Sequence, residues 1–374
     1  MKQKGKIMIM ADSFKGSLSS TEVAEAVKDA LLATDAKLEV LTYGISDGGE
    51  GFAETVTSAR GGKMVEMEAH DALLRPIKTH YGLMDDCAVM DVASVVGLMM
   101  LKPMEQNPWK ATSYGVGEMI RHIVGHGIRK IIIGLGDSAT NDCGRGMLEA
   151  LIGQKRVSDC MMEWPYGMRK SKNDLTEALH EIKGLDDCEF TIATDVENPL
   201  CGPNGATHVF AAQKGASPAI LPRLEQRNRK FGHMLETQTG RTIIDQAGAG
   251  AAGGLGAALM TMKHWKIQRG IDLLIDLYDI RSQMQSTSMI ITGEGRIDRQ
   301  TLCGKAPYGI GMLAKEMGIP CVALCGQQSE DLDLSQAPWT EIVQVSPPDQ
   351  RLSDAMRPDV AIENIKQSVK RLSI

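Results

Sequence analysis

The stretch KIIIGLGDSATND, residues 130–142, decides the fold class. Its first part, residues 130–134, is apolar after Lys130 and predicts a buried β-strand. The residues that follow bring glycines, two acids, an amide and two hydroxyls into one turn. In open α/β sheets, ligands bind at the carboxyl ends of the strands. The stretch therefore predicts an α/β fold whose strand-to-helix turns carry the functional groups.

The same alternation of strand, turn and helix extends over much of the chain. Such repetition is typical of a parallel sheet flanked by helices. Two regions, 63–109 and 158–272, interrupt the alternation, and we interpret them as a second domain inserted into the first. The predicted strands are 6–10, 38–43, 130–134, 190–193, 289–292 and 320–324, and the predicted helices are 19–33, 116–125 and 220–237.

Composition and charge narrow the class of protein. The chain has 374 residues, of which 43% are hydrophobic and 24% charged, as in globular proteins. A formal net charge of −6 argues against nucleic acid as a partner, because phosphate binding favours a basic surface. We expect neither a membrane span nor a secretory signal. The eight cysteines include no CxxC pair, which predicts reduced thiols and a cytoplasmic protein. A homo-oligomer is compatible with these features.

Residues 11–17, ADSFKGS, follow the first predicted strand. Free backbone N–H groups and the helix dipole favour anions at a helix N-terminus. Ser13 and Lys15 would add further donors there. An ordinary helix cap accounts for the same residue types, so this loop alone leaves an anion site and a plain cap open.

Residues 248–256, GAGAAGGLG, match the G-x-G-x-x-G pattern, with Asp272 further along the chain. A nicotinamide site places this pattern directly after the opening strand of a βαβ unit. Here the polar residues 245–246 precede it instead. A helix start that cradles phosphate groups fits the string equally well.

Residues 292–298, TGEGRID, combine acids and bases around glycines, and Gly304 and Lys305 follow. Mg²⁺ prefers carboxylate oxygens, and Arg and Lys suit phosphoryl oxygens. The segment therefore predicts a site for Mg²⁺ and phosphate together. Because Ala306 follows Lys305, the chain lacks the GxxxxGK[ST] motif, and HRD and DFG are absent too. P-loop enzymes and protein kinases are thereby excluded.

Together these loops resemble the type I glycerate kinase family, bacterial kinases that phosphorylate D-glycerate. The resemblance runs over nearly the whole chain. It implies a flavodoxin-like parallel-sheet domain, a second α/β domain inserted in it, and a ligand cleft between them. The matching segments are 12–18, 47–51, 112–118, 138–142, 198–206, 213–216, 248–259, 292–298, 300–302 and 304–307. The expected flavodoxin-like domain comprises 1–62, 113–153 and 273–374, and the inserted domain comprises 63–112 and 154–272.

The chain departs from the family pattern at several positions. Two family glycines are replaced by Asp137 and Cys143, and a proline is replaced by Ala11. Asp91 and Val96 stand where the family has Glu and Ser. An extra negative charge at Asp137 repels phosphate unless Mg²⁺ or a basic group offsets it. These changes bear most directly on substrate choice and rate.

The resemblance implies an ATP- and Mg²⁺-dependent kinase that converts D-glycerate to 2-phosphoglycerate, with small molecules as its only expected substrates. We expect Asp195 to act as the base and Lys15 and Arg296 to contact phosphate or the glycerate carboxylate. Substrate or phosphate contacts are expected at Ser13, Ser138, Asn141, Gly248, Gly250, Gly253, Gly254 and Lys305, and metal contacts at Asp47, Glu50 and Glu294.

Other functions stay open at this point. The changes at Asp91, Val96 and Asp137 favour a kinase of another small hydroxy acid on the same fold. The glycine-rich string 248–256 is also compatible with a nicotinamide-dependent oxidoreductase. A third alternative is a catalytically inactive relative, which would bind ATP without turnover.

Overall fold

A computed structural model describes residues 5–46, 48–153, 174–302, 304–329, 332, 334–335 and 337–372. The strands are β1 (Lys6–Ala11), β2 (Val40–Thr42), β3 (Lys63–His70), β4 (Pro76–Met84), β5 (Cys87–Asp91), β6 (Lys130–Gly134), β7 (Glu189–Ala193), β8 (His264–Gln268), β9 (Thr287–Ile297), β10 (Cys321–Gln328) and β11 (Glu341–Gln344). The helices are α1 (Ser20–Thr34), α2 (Phe52–Ala59), α3 (Ala93–Val96), α4 (Tyr114–Gly125), α5 (Arg145–Leu151), α6 (Asp174–His180), α7 (Ala206–Phe210), α8 (Leu221–Thr239), α9 (Ala251–Leu259), α10 (Gly270–Leu277), α11 (Ile280–Met284), α12 (Arg299–Leu302), α13 (Ala306–Glu316), α14 (Leu352–Ala355) and α15 (Pro358–Val369). Of these described helices, none has both the length and the apolar character needed to cross a membrane.

The chain divides into two compact units, which we call the terminal unit (residues 1–47 and 270–374) and the central unit (48–269). The terminal unit is built on a sheet of order β11-β10-β9-β1-β2 in which every neighbouring pair is parallel. Ile7 and Ile9 of β1 belong to the core that α1 and α15 help to form. Helix α1 begins with a capping box, in which Ser19 and Glu22 satisfy each other's backbone N–H groups.

The central unit is built on a mixed sheet of order β3-β4-β5-β6-β7-β8. The pairs from β3 to β5 are antiparallel, and those from β5 to β8 are parallel. The stretch 130–134 forms β6, as predicted, and lies between β5 and β7 with Ile131 and Ile133 buried. The predicted class, an α/β protein with parallel sheets, is therefore confirmed.

Sheet pairing places two segments differently from the expected domain boundaries. Residues 113–153 contain β6, which is hydrogen-bonded inside the central sheet, and residues 48–62 contain α2, which packs on β4 and β5. The sequence grouped both segments with the flavodoxin-like domain. Both sheets contain short apolar parallel strands, so the local pattern does not tell which sheet a strand joins.

Residues 292–298 form no turn directly after a short strand, contrary to the sequence-based expectation. Strand β9 continues to Ile297 and pairs with β10 from Ile290 to Ile297. A Cβ atom on Gly293 would lie 2.4 Å from the Leu324 carbonyl oxygen, and one on Gly326 would lie 2.7 Å from that of Gly295. These glycines let two strands approach closely.

Candidate active site

The terminal unit holds a cavity of about 370 Å³ where β1, β9 and β10 end. These three strands are parallel neighbours, so their carboxyl ends meet at one edge of the sheet. That edge brings together residues far apart in sequence. The predicted site residues that line the cavity are Ser13, Lys15, Glu294, Arg296 and Lys305.

The loop after β1 makes a tight turn before α1 begins. The Asp12 N–H donates to the Gly293 carbonyl (2.8 Å), and the Leu18 N–H donates to the Phe14 carbonyl (3.0 Å). Gly16, at the tip, has a φ of +74°, a left-handed conformation that glycine adopts without strain. Lys15 is exposed beside it. The loop therefore presents Ser13 and Lys15 ahead of the helix, and the helix cap itself is Ser19.

Opposite charges lie close together along the second half of β9. Glu294 is buried, and one of its carboxylate oxygens (Oε2) lies 4.0 Å from Nζ of Lys305. Arg296 is exposed, and its guanidinium donates to the Ser329 hydroxyl at 3.3 Å. Cations at a strand edge can bind phosphoryl oxygens, and a buried carboxylate can bind a divalent cation. This edge thus combines both kinds of group in one cavity.

In the central unit, the loop after β6 packs on residues 48–50. The Gly136 N–H donates to the Gly48 carbonyl (2.8 Å), and the Glu50 N–H donates to Oδ2 of Asp137 (3.2 Å). Asp137 itself has a φ of +56°, and so does Cys143. Both stand where the sequence departs from a family glycine, and the backbone keeps the conformation that favours glycine. Asp47, a predicted metal ligand, falls outside the described residues.

The buried Asp142 side chain accepts hydrogen bonds that hold the same loop together. Its Oδ2 accepts hydrogen bonds from the Ser113 N–H (2.9 Å), the Ser113 hydroxyl (3.0 Å) and the Gly146 N–H (3.1 Å). Its Oδ1 accepts one from the Gly144 N–H at 3.1 Å. The donors at 144 and 146 belong to the start of α5. Asp142 therefore caps a helix and ties Ser113 to it.

A buried lysine that the sequence-based prediction missed lies under this loop. Lys214 is 4% exposed, and its ammonium donates to the Ser138 hydroxyl (2.9 Å) and to the Thr140 carbonyl (2.8 Å). Burial lowers the pKa of Lys214 to about 7, and the carboxylates of Asp142 and Asp137 oppose that shift. The segment 213–216 was part of the family resemblance, so a signal for this residue was present in the sequence.

The two predicted substrate contacts in this loop, Ser138 and Asn141, are both buried in the central unit. Ser138 accepts the hydrogen bond from Lys214, and Asn141 donates through Nδ2 to the Thr207 hydroxyl (3.2 Å). Their hydrogen bonds fix the loop to helix α7 and to the segment around Lys214. Their contact with a substrate stays a prediction.

Asp195 follows β7, the strand next to β6 in the central sheet. Its side chain is only 6% exposed, and its Oδ1 lies 4.0 Å from Nε of Arg269. The Leu135 N–H donates to the Ala193 carbonyl at 3.0 Å, so the ends of β6 and β7 are joined there. The structure thus places Asp195 at the same sheet edge as the loop 134–142.

Most glycines of the string 248–256 pack closely against protein backbone. A Cβ atom would lie 2.3 Å from the Pro199 carbonyl oxygen at Gly250 and 2.0 Å from the Thr140 carbonyl oxygen at Gly253. Residues 251–259 are buried in α9, and Ala252 to Gly254 leave helical geometry. Close packing accounts for these glycines, and phosphate binding by Gly248, Gly250, Gly253 and Gly254 stays a prediction. Residues 240–250, all described, contain no strand, so the nicotinamide pattern lacks its opening strand.

Asp91, one of the departures from the family, has a structural role. Its carboxylate accepts hydrogen bonds from the Ala53 N–H (3.0 Å) and the Ser94 N–H (2.8 Å), near the starts of α2 and α3. Burial, and then the charge of Glu54, raises the pKa of Asp91 to about 6. A shorter carboxylate at this position thus serves to hold two helices.

No group of three or more His, Cys, Asp or Glu side chains in the described part of the chain is arranged to hold a metal ion. Of the predicted metal ligands, Glu294 lies in the terminal unit and Glu50 in the central unit. A metal carried mainly by substrate phosphates needs only one or two protein carboxylates.

Comparison with known proteins identifies the family. The model of the glycerate kinase family matches residues 7–373. The chain is 38% identical to a glycerate kinase of Bacillus subtilis (strain 168), over 87% of this chain and 86% of that protein. It is 34% identical to the glycerate 2-kinase of Escherichia coli (strain K12), over 87% and 86%. A crystal structure described as glycerate kinase 2 of Salmonella typhimurium LT2 has a TM-score of 0.77 and 33% identity, over 98% and 97% of the two chains. The chain therefore belongs to the glycerate kinase family and is an enzyme of that family.

Proposed function

We propose that this enzyme phosphorylates D-glycerate with ATP and Mg²⁺, giving 2-phosphoglycerate and ADP. The observation that carries the proposal is the cavity in which Lys15, Arg296 and Lys305 accompany the buried Glu294. Phosphoryl transfer depends on positioning and on charge neutralisation more than on covalent chemistry. The names of the relatives support glycerate as the acceptor.

In the proposed reaction, the secondary hydroxyl oxygen of D-glycerate forms a bond to the γ-phosphorus of ATP. The bond from that phosphorus to the β–γ bridging oxygen breaks, and ADP leaves with its electron pair. The hydroxyl proton passes to Asp195, whose carboxylate follows β7 at the edge of the central sheet. Lys15, Arg296 and Lys305 bind and orient phosphate oxygens through charge-assisted hydrogen bonds.

The residues of the terminal cavity fit a magnesium ion. Glu294 and Asp12 are both buried and both line it, and they offer the carboxylate oxygens that Mg²⁺ prefers. When bound, Mg²⁺ neutralises charge on the phosphoryl oxygens.

The test is a product assay. Protein, ATP, MgCl₂ and D-glycerate should yield ADP and a phosphomonoester, and EDTA should abolish the reaction. Phosphorus NMR of the product should show the ester on the C2 hydroxyl. A 3-phosphoglycerate product would refute the regiochemistry and keep the kinase. Glycerate-dependent reduction of NAD or NADP without ADP would refute the proposal.

A different small hydroxy acid is the second candidate, and Asp137 is the observation that favours it. Asp91 and Val96 are buried, and the Asp91 carboxylate is used in holding α2 and α3. Asp137 instead adds a charge to the loop after β6. The same assay with a panel of hydroxy acids decides this, because glycerate should give the highest kcat/KM if the first proposal holds.

A further inference from the structure

Building on the proposed function, we infer that the cavity of the terminal unit is the nucleotide site, with the purine base on an apolar wall formed after β11. Lys15, Arg296 and Lys305 then bind the triphosphate rather than the glycerate carboxylate. The sequence left this choice open.

The cavity has two chemically different walls. One wall carries the charged groups at the ends of β1 and β9, including Lys15, Glu294 and Arg296. The other wall is mostly apolar and comes from the segment after β11. Its main residues are Val345, Pro347, Leu352, Met356 and Ala361. A nucleoside triphosphate has the same division, since its base is flat and weakly polar and its phosphates are charged.

Two apolar side chains of this wall are exposed to solvent, and a bound ligand would bury them. Leu352 is 65% exposed. Met356, one helical turn further along the chain, is 37% exposed. Both line the same cavity, so their apolar surfaces face one shared space. Apolar groups gathered around a pocket mark a place where an apolar ligand surface is buried.

Glycerate cannot use this wall. Each of its carbon atoms carries oxygen, so it offers no apolar surface for Leu352 and Met356 to cover. Burying its hydroxyls there would leave them without hydrogen bonds. The cavity volume of about 370 Å³ lies in the range of roughly 300–1,000 Å³ for sites that bind larger ligands. Both observations favour the nucleotide over the hydroxy acid as the occupant.

The test places a carboxylate on the apolar wall without disturbing the core. Leu352→Glu changes an exposed residue in the short helix α14. Met312→Glu is the matched control, because Met312 is 43% exposed on α13 and does not line the cavity. The Kd of a non-hydrolysable ATP analogue with MgCl₂ is measured by calorimetry without glycerate, and the KM values for ATP and glycerate are measured separately.

We expect Leu352→Glu to weaken the analogue and to raise the KM for ATP by about tenfold or more. The KM for glycerate should stay within about twofold, and Met312→Glu should match the wild type in all three. Unchanged nucleotide binding, or an increase confined to the glycerate KM, would overturn the assignment. If Leu352→Glu does not fold, Leu352→Ala and Met356→Ala remove apolar contact without adding charge and are judged in the same way.

The calorimetric experiment also separates this inference from the proposed function. An analogue that binds the wild type and loses affinity in Leu352→Glu supports the nucleotide site, even where the wild type forms no ADP with glycerate. Such a result would refute the proposed substrate alone. ADP formation from glycerate with nucleotide affinity insensitive to both Leu352 and Met356 would keep the kinase and refute the assignment of the apolar wall.

Discussion

The carboxyl edges of the two sheets use similar residues for different purposes. At the edge of the terminal sheet, Lys15 and Arg296 are exposed and line a cavity. At the edge of the central sheet, Asp142, Lys214 and Asn141 are buried and bonded to neighbouring segments. Charged and polar residues near strand ends therefore line a cavity, the candidate ligand site, in one unit and support a loop in the other. Burial and hydrogen-bond partners distinguish the two.

Removal of Asp142 should have the largest effect on stability. Asp142→Ala leaves the hydrogen bonds from Ser113, Gly144 and Gly146 without their acceptor inside the protein. We expect the free energy of unfolding to fall by at least about 3 kcal/mol, as measured by urea denaturation. Asp86→Ala is the control, since the Asp86 side chain is 72% exposed, and it should change little. Wild-type stability with lost activity would make Asp142 a ligand-binding residue and break the comparison.

Asp195 is the exception to the comparison, because its proposed role is chemical although its side chain is buried. Asp195→Asn keeps the size of the side chain and cannot accept the hydroxyl proton. We expect kcat to fall at least ~100-fold, with nucleotide binding and unfolding unchanged. The exposed Asp245→Asn should behave as the wild type. A nearly unchanged kcat would remove Asp195 from the mechanism.

Lys305→Met, at the edge of the terminal sheet, should change activity and leave stability unchanged. Asp142→Ala, in contrast, should change stability. The variant removes one cation beside Glu294. The loss of one charge-assisted contact should lower kcat/KM for ATP by about ten- to a hundredfold. The melting temperature should hardly change. Lys315→Met, an exposed change in helix α13, which begins directly after Lys305, controls for charge. A large fall in melting temperature with unchanged specific activity would make Lys305 structural.

The buried lysine predicts a pH dependence of stability. The pKa of Lys214 is about 7 in the folded protein, against a reference value of 10.5. Well below pH 7 both folded and unfolded states hold the proton. Between these two values the unfolded state binds more protons, so the free energy of unfolding should rise with pH, by up to about 1.4 kcal/mol per unit.

Denaturation curves from pH 7 to pH 9.5 measure that slope. Lys214→Met should lose it, and the exposed Lys266→Met should keep it. Equal slopes in the wild type and Lys214→Met would show that Lys214 keeps its proton in the folded state. The kinase activity of Lys214→Met then tells whether the charge under the loop matters beyond stability.

The sequence predicted local structure well and long-range pairing poorly. Strand β6 and helix α1 lie where the sequence predicted them. The membership of residues 113–153 in the central sheet depends on hydrogen bonds to β5 and β7, which local spacing does not encode. Gly293 resembles a ligand-loop glycine in the sequence, although the close approach of Leu324 is what requires it.

The candidate site was predictable where side chains lie near the carboxyl ends of strands, and less so elsewhere. Lys15, Glu294 and Arg296 meet in one cavity because β1 and β9 are neighbours. The apolar wall around Leu352 gave no signal, because only the folded structure shows that Leu352 and Met356 are exposed. Lys214 was overlooked because a lysine is usually exposed, and only tertiary packing shows that it is buried.

Substitution of Asp137 should have the smallest and most specific effect, a shift in the pKa of Lys214. Its negative charge raises the pKa of Lys214, although burial dominates. Asp137→Asn removes that charge and retains a side chain that tolerates the left-handed φ of +56°. Asparagine also keeps an acceptor for the Glu50 N–H. The fold should therefore persist, and Lys214 should titrate at a lower pH than in the wild type.

Carbon NMR of protein labelled at lysine Cε measures this titration directly. The Lys214 signal is assigned by its loss in Lys214→Met, and Asp86→Asn serves as the control for a distant exposed charge. A midpoint that moves to lower pH only in Asp137→Asn confirms that the charge replacing a glycine acts on the buried lysine. An unmoved midpoint would mean that Asp137 is screened from Lys214. The departure at Asp137 would then act through other contacts, such as the hydrogen bond from the Glu50 N–H.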